Sequence, residues 1–201
     1  MIPLYLVVSF FVSSTQAQDS NLDSLINQNE IGIIEQSSFR LIKSWQSISY
    51  KNKKLNCQFY PSCSSYCALA IAQYGILSGS IRGVDRFVRC NPAAVGYHLR
   101  NPNSEFHIDG RLVDRLKLRK TILSKKTPRS SILLSAIPGL GRAYYDHKFD
   151  GFVSFTYVSG FSYLSYNAFK KKNEVMGIFS GVVALLFWSA DIFATNQLSL
   201  D

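Results

Sequence analysis

Four cysteines, Cys57, Cys63, Cys67 and Cys90, are the residues of this 201-residue chain whose type and spacing could do the most chemistry. They could form two disulfides, in three possible connectivities. A Cys63–Cys67 bond is the least favoured, because a regular helix keeps these β-carbons farther apart than a disulfide prefers. Four thiolates could instead hold zinc, although the paired C-x2-C spacing is missing. The third alternative is that they are small buried hydrophobic side chains.

Catalytic chemistry has little support in the residues. A Cys–His nucleophile would need Cys57 beside His98 or His107, and no residue set orients such a base. A metal at the Tyr144–His147 stretch is disfavoured because that stretch follows a proline-glycine turn. We therefore expect no enzyme activity, no catalytic residues, no metal and no cofactor.

The amino-terminal region has the pattern of a secretory signal. Residues 2–12 are apolar, and Thr15-Gln16-Ala17 puts small residues where a signal peptidase reads the chain. The run is too short to span a bilayer. We expect a signal peptide over 1–17, with an uncleaved anchor or a core helix as the alternative. Export would favour disulfides at the cysteines.

Charge is distributed unevenly along the chain. Residues 1–39 carry −4, residues 40–129 carry +13, and residues 130–201 are neutral. The cationic block would attract lipid head groups, RNA or acidic protein. Nucleic acid is disfavoured, because the chain has the pattern of an exported protein and contains no recognisable RNA-binding or zinc-finger motif. Membrane lipids are the expected partner.

The hydrophobic pattern between residues 20 and 125 predicts helices. Leu41, Trp45 and Ile48 form one apolar stripe, flanked by lysines and an arginine. Such a helix is a candidate to lie on a membrane surface through Trp45. The alternative is that the stripe packs on the core of its own module.

Three further helices are predicted in this region. The first runs from Ser62 to Tyr74 and ends at Gly75. The second runs from about Ser80 to Cys90 and carries a stripe expected to contact membrane or a partner, formed by Arg82, Arg86 and Arg89. The third is expected from about Arg111 to Ser124.

Two uncharged runs, 151–169 and 175–190, flank Lys170-Lys171-Lys172 near the other end of the chain. The first can span a bilayer. The second reaches spanning length only if Asp191 lies at the interface or faces the partner helix. We expect a transmembrane helical hairpin with a cytoplasmic tip. A buried hairpin in a water-soluble fold is the alternative.

The segment that precedes this hairpin is apolar but too short to span. Pro138-Gly139-Leu140-Gly141 would interrupt a helix there, which favours an interfacial or re-entrant piece. Together with the two apolar runs, this turn resembles the membrane modules of the TM2-like and DUF5683 type.

The cysteine region itself resembles a known family. The stretch Cys57-Gln58-Phe59-Tyr60-Pro61-Ser62-Cys63-Ser64-Ser65-Tyr66 is followed by a helix, by Arg89-Cys90-Asn91-Pro92 and by Gly96-Tyr97. This order and spacing are similar to the YidD family, the membrane protein insertion efficiency factor or haemolytic-domain family. The resemblance runs from about Phe39 to Tyr97.

The resemblance implies a small membrane-associated protein that acts near the YidC insertase and the Sec translocon, without catalysis. Its signature residues by position are Cys57, Pro61, Cys63, Tyr66, Arg89, Cys90 and Pro92. The chain departs from the family at Gln58, in the thinned tail after Cys90, and in the additional Cys67. Family members are usually short and cytoplasmic, whereas this chain has an export pattern and a hairpin.

The expected fold is all-α: a small cysteine-containing helical module plus a transmembrane helical hairpin. The expected divisions are a signal peptide at 1–17, a helical segment at 18–38, the YidD-like module at 39–110, a basic linker at 111–130 and the hairpin region at 131–201. The expected function is assistance of membrane protein insertion or folding at the YidC/Sec machinery, in contact with nascent membrane proteins. The expected location is the bacterial inner membrane, with the module on the periplasmic side if the signal is cleaved. The alternative is an envelope-structural or lipid-binding adaptor.

Overall fold

The computed structural model describes residues 32–51, 57–102, 104–116 and 133–199. Its helices are α1 Ile33–Ser49, α2 Cys63–Tyr74, α3 Ile76–Arg89, α4 Ala94–Arg100, α5 Leu140–Tyr144, α6 Lys148–Lys170 and α7 Glu174–Leu198. Its strands are β1 Phe59–Tyr60, β2 Glu105–Phe106 and β3 Leu112–Val113. The all-α prediction is confirmed. The predicted signal peptide lies outside the described residues, as do most of segments 18–38 and 111–130.

Helix α1 packs on α2 through an unexpected face. Phe39 is fully buried against Ala68 and Ile71, and Gln46 donates to the hydroxyl of Ser65 at 3.1 Å. The stripe of Leu41, Trp45 and Ile48 lies on the other side and is exposed. The alternative that this stripe packs on the module's own core is therefore wrong.

Helices α2 and α3 form a tight antiparallel pair for local reasons. The Ser62 hydroxyl accepts a hydrogen bond from the Ser65 amide at 3.3 Å and so caps α2, which lies within one residue of the predicted helix from Ser62 to Tyr74. Gly75 then takes a φ of +80°, a conformation that favours glycine, and α3 begins at the next residue. Gly79 and Gly83 let the two helix backbones approach closely.

A small three-stranded sheet closes the module. Its strand order is β1-β3-β2, with β1 parallel and β2 antiparallel to β3. The predicted helix from about Arg111 to Ser124 is wrong at its start, because Leu112 and Val113 form β3 and residues 114–116 are non-helical. Leu112 is buried with Phe59 and Ala94, so this contact holds the segment extended.

The predicted helical hairpin is present as α6 and α7, joined by a lysine turn. It packs on α3 through a cluster that includes Val88, Val158 and Phe187. Among the described residues, α7 is the one helix long and apolar enough to cross a membrane by length and composition. The sequence had favoured the first run instead. Helix α6 contains many serines and tyrosines, which lower its hydropathy.

The close crossing of α2 and α3 predicts the first mutational outcome. A methyl group at Gly79 would overlap the backbone of Ile71. We expect Gly79→Ala to lower the free energy of unfolding by about 1–3 kcal/mol, the usual cost of overpacking. Chemical unfolding of the full chain in detergent, followed by near-ultraviolet circular dichroism, measures it.

The matched control is Gly96→Ala in α4, where the added methyl group has no atom within 4 Å among the described residues. Because alanine favours a helix, this variant should be unchanged or more stable by up to about 1 kcal/mol. Equal stability of the two variants would contradict the close crossing.

Candidate functional site

Three of the four cysteines meet at one point of the module. Cys57 lies just before β1, Cys63 is the first residue of α2, and Cys90 follows the end of α3. The Sγ atom of Cys57 is 3.1 Å from that of Cys63 and 3.7 Å from that of Cys90. All three sulfurs lie within 4.8 Å of one another. Folding thus brings together thiols that are up to 33 positions apart in sequence.

The three thiols strongly affect one another's protonation. Hydrogen bonds from the Cys63 and Cys90 side chains lower the pKa of Cys57 well below its ordinary value. The Cys57 sulfur in turn raises the pKa of Cys63 and the pKa of Cys90. The amide of Cys63 also donates to the Cys57 sulfur at 3.3 Å. The cluster therefore favours a first thiolate on Cys57.

Cys67 lies apart from this cluster. Its side chain packs with the core cluster of Phe39 and Ile71 and against Gly83. Burial raises the pKa of the Cys67 thiol to about 11. All four cysteines are unbonded in the structure. The two disulfides expected from the export signal stay a prediction.

The arginine stripe of α3 faces inward. Arg86 is fully buried, with its guanidinium over the rings of Tyr66 and Phe59 at 4.3 and 5.0 Å and its Nε 3.4 Å from Asp114. Burial lowers the pKa of Arg86. The prediction that Arg86 contacts lipid or a partner is wrong, because it has no exposed surface.

The other two arginines of the stripe are half-buried and engaged. Arg89 pairs with Asp85 at 3.2 Å and with Asp114 at 3.0 Å. The guanidinium of Arg82 lies over the rings of Tyr74 and Phe193 at 4.0 and 4.5 Å. Their part in docking stays a prediction, and most of their contacts are within the fold.

A buried ion cluster joins the module to the hairpin, and sequence reasoning missed most of it. Arg142 of α5 donates through Nη2 to Asp85 of α3 and through Nε to Asp191 of α7, each at 2.8 Å. Asp191 also accepts from the amide of Gly139 at 2.8 Å. Asp191 thus faces polar partners inside the fold. The signal in the sequence was a lone carboxylate in an apolar run.

The loop after Cys90 forms a second link to the hairpin. Asn91 is buried, and its side-chain amide donates to Asp150 of α6 at 2.6 Å and to the carbonyl of Val88 at 2.9 Å. The Tyr97 hydroxyl accepts from the amide of Phe149 at 3.1 Å. The family-like loop therefore holds the base of the hairpin.

The proline-glycine turn before α5 also docks on the hairpin base. Gly139 has a φ of +82° and a Cβ there would overlap the backbone of Gly151. A close backbone approach of this kind requires glycine. The interfacial or re-entrant position predicted for this segment stays a prediction.

A cavity of about 540 Å³ opens where the module meets the hairpin. Its lining carries charges of both signs and includes Arg82, Arg89, Asp114, His98, Tyr145 and Asp150. Because the arginines that line it are balanced by nearby carboxylates, the cavity does not present one strong sign of charge.

The outward surface of α1 and of the hairpin is apolar. The outer α1 face consists of Ile34, Leu41, Trp45 and Ile48, which are exposed by 67%, 72%, 54% and 64%. Residues of the first half of α7 are similarly exposed, namely Val175, Met176, Ile178, Phe179, Val182 and Leu185. Apolar surface of this extent, beside Arg40, Lys43 and Lys51, is typical of contact with a membrane.

The structure brings together only part of the predicted site set. Tyr66, Cys63 and Arg89 surround the buried Arg86 region, and Cys57 and Cys90 join Cys63. Pro61 lies beside the cysteine cluster at the start of α2, whereas Pro92 is exposed in the loop that follows it. Trp45 lies on the outer α1 face, and its role there stays a prediction.

These features define a class: a helical module with a cysteine cluster at its centre, joined to a helical hairpin. Residues 34–99 match the family model YidD, described as "Putative membrane protein insertion efficiency factor". The chain belongs to this family. The match ends before the hairpin, so the resemblance of residues 131–201 to DUF5683-type modules stays a prediction.

Relatives of the same description support this assignment. The protein of Thermoanaerobacter pseudethanolicus is 46% identical over 52 residues, which are 26% of this chain and 75% of the relative. That of Persephonella marina is 40% identical over 57 residues, 28% of this chain and 84% of the relative. That of Aquifex aeolicus is 39% identical over 51 residues, which are 25% of this chain and 75% of the relative. No solved structure matches the chain.

The buried ion cluster predicts the second mutational outcome. Asp191→Ala removes one of the two carboxylates paired with Arg142 and also the acceptor of the Gly139 amide. We expect the free energy of unfolding to fall by about 3–5 kcal/mol, as for a broken buried pair. Chemical unfolding of the full chain in detergent measures the loss.

The control is Glu105→Ala, which removes an acid from the exposed pair with Arg115. Exposed pairs contribute about 0–1 kcal/mol, so this variant should unfold nearly as the wild type does. An Asp191→Ala protein as stable as Glu105→Ala would contradict the structural importance of the buried cluster.

Proposed function

We propose that the chain is a non-enzymatic, membrane-associated factor that assists the insertion of membrane proteins. The observation that carries the proposal is membership of the YidD family, whose relatives are named for insertion efficiency. The family resemblance also motivates the finer proposal that it acts at the YidC insertase or the Sec translocon, on nascent membrane proteins. If the insertion of membrane proteins does not depend on this chain, the alternative function is that of a lipid-binding envelope adaptor.

The surface of the module supports membrane contact through α1. The outer α1 face is apolar, and Lys43 and Arg40 are exposed on the same helix. Apolar burial at the head-group boundary and attraction to anionic lipid act together in such helices. We propose that this face lies in the interface while the hairpin inserts beside it.

The side of the membrane is a further part of the proposal. By the positive-inside rule, the three lysines at the tip of the hairpin favour a cytoplasmic position for that tip. A cleaved signal peptide would put the module on the other side of the membrane, outside the cytoplasm. The first residue of the chain purified from membranes tests this point. A start at Gln18 supports export of the module, and a start at Met1 opposes it.

Membrane contact of α1 can be tested through its tryptophan. The chain has two tryptophans, Trp45 and Trp188, so Trp188→Phe leaves Trp45 as the one emitter. We expect Trp45 fluorescence in proteoliposomes to be quenched most strongly by lipids brominated near the head group. Trp45 emission that no brominated lipid quenches would contradict an interfacial α1. The variant Trp45→Phe, in which Trp188 is the remaining tryptophan, serves as the reference.

The insertion role can be tested in a bacterial strain from which its own YidD-family protein has been deleted, by supplying this chain in its place. We expect integration of several unrelated pulse-labelled membrane proteins to be slower in the deletion strain and restored by the wild-type chain. The variant Leu41→Gln, Trp45→Gln, Ile48→Gln should restore it several-fold less well, because it removes the outer α1 face. Unchanged integration in the deletion strain would leave the adaptor function.

The matched control is Ile108→Gln, in the turn between β2 and β3, where the side chain is 89% exposed. It also replaces an exposed apolar residue, but away from α1, and should complement fully. Equal loss in both variants would mean that exposed hydrophobicity in general, and not the outer α1 face, is required.

A further inference from the structure

We infer that Cys57, Cys63 and Cys90 form a zinc site in which the three thiolates bind one Zn²⁺ and solvent takes the fourth position. The inference goes beyond the insertion role and does not depend on it. It also differs from the sequence expectation of no metal, which rested on the missing paired-cysteine spacing. Folding replaces that spacing by bringing three separate segments together.

The distance between the Cys57 and Cys90 sulfurs matches a common central ion, and the Cys63 sulfur lies close enough to join it. Zinc binds thiolate sulfur at about 2.3 Å in tetrahedral geometry, which separates the sulfurs by about 3.8 Å. The Cys57–Cys90 distance is 3.7 Å, the Cys57–Cys63 distance is 3.1 Å, and all three sulfurs lie within 4.8 Å of one another. A disulfide would join two of these sulfurs and leave the third without a role.

Amide donors lie beside two of the three sulfurs. The Cys63 amide donates to the Cys57 sulfur at 3.3 Å, and the Gln58 side-chain amide lies 3.9 Å from the Cys90 sulfur. Gln58 is itself held by a 2.7 Å hydrogen bond to the carbonyl of Asn91. Donors held in place around metal-bound thiolates orient the ligands and tune the metal.

A buried cation beside the cluster supplies the charge that such a site needs. Three thiolates and Zn²⁺ carry a net charge of −1, and Arg86 is fully buried nearby, where the Cys63 sulfur acts on it electrostatically. Within the described residues the Arg86 side-chain nitrogens make no hydrogen bond, although Asp114 is an ion-pair partner at 3.4 Å. A negative site next to Arg86 accounts for a cation at this depth.

Within the part of the chain that the structure describes, the ligand set contains only sulfur. Cys67 packs against Gly83 and lies outside the group. Residues 52–56, which precede Cys57, contain no cysteine, histidine, aspartate or glutamate. Three soft ligands select zinc among the abundant divalent cations, since magnesium and calcium prefer oxygen. On binding, three thiols lose three protons in total and form three zinc–sulfur bonds.

Metal content of the full chain tests the site. The protein is purified from membranes in detergent without chelator, loaded with Zn²⁺ under reducing conditions and desalted, and zinc per chain is measured by mass spectrometry. We expect about one zinc in the wild type and in the matched control Cys67→Ser. Cys57→Ser, Cys63→Ser and Cys90→Ser should each lose at least tenfold in zinc affinity.

X-ray absorption at the zinc edge needs no variant and so remains decisive if a serine variant fails to fold. Three sulfurs at about 2.3 Å and one lighter atom are expected. A wild type that takes up no zinc, a sulfur count other than three, or zinc loss in Cys67→Ser would each overturn the site. So would an unloaded chain whose intact mass and alkylation reveal a disulfide among these three residues.

Discussion

The pairing of Arg142 with Asp85 and Asp191 is the interaction on which the arrangement of the cysteine module and the hairpin depends. A buried guanidinium with one partner missing costs several kcal/mol, so the three residues are stable inside only when all are in place. They come from α5, α3 and α7, which are distant in sequence. The cluster therefore fixes how the cysteine module sits on the hairpin. Asn91 and Asp150 fix the same junction at a second point.

The charged side chains of α3 are used at the junction with the hairpin, so the exposed charge of the module comes mostly from other described elements. The arginine stripe is engaged within the fold, so it contributes little positive charge to the surface. Among the described residues, Arg40 and Lys43 are exposed on α1, the helix of Trp45, and Lys51 is exposed just beyond its end. The same helix thus exposes both apolar and cationic side chains.

Local chemistry made part of the fold predictable from the sequence. The helix from Ser62 to Gly75 was predictable because a capping serine and a glycine with positive φ act on their own neighbours. The hairpin was predictable from two apolar runs around a lysine turn. The family signature located the cysteine module. In each case the information lies within a few residues or in a pattern already known.

The rest depended on contacts between distant segments. Periodicity showed that Arg82, Arg86 and Arg89 share a face, but it could not tell that this face turns inward toward Tyr66 and Asp114. A two-residue strand such as β3 has no periodic signal, and its extended form depends on Leu112 packing with Phe59. The cysteine cluster was hidden for the same reason, because its three sulfurs come together only after folding.

The position of Asp191 bears directly on how α7 can enter a membrane. A lone carboxylate at the centre of a spanning helix costs about 2.5–3.5 kcal/mol on insertion scales. Here the charge is paired with Arg142 and covered by α3, so α7 can carry it without exposing it to lipid. The exposed apolar part of α7, from Val175 to Leu185, is about 17 Å long at helical rise, roughly half of a hydrocarbon core. A full crossing by α7 would therefore take the half that packs with α3 to membrane depth as well.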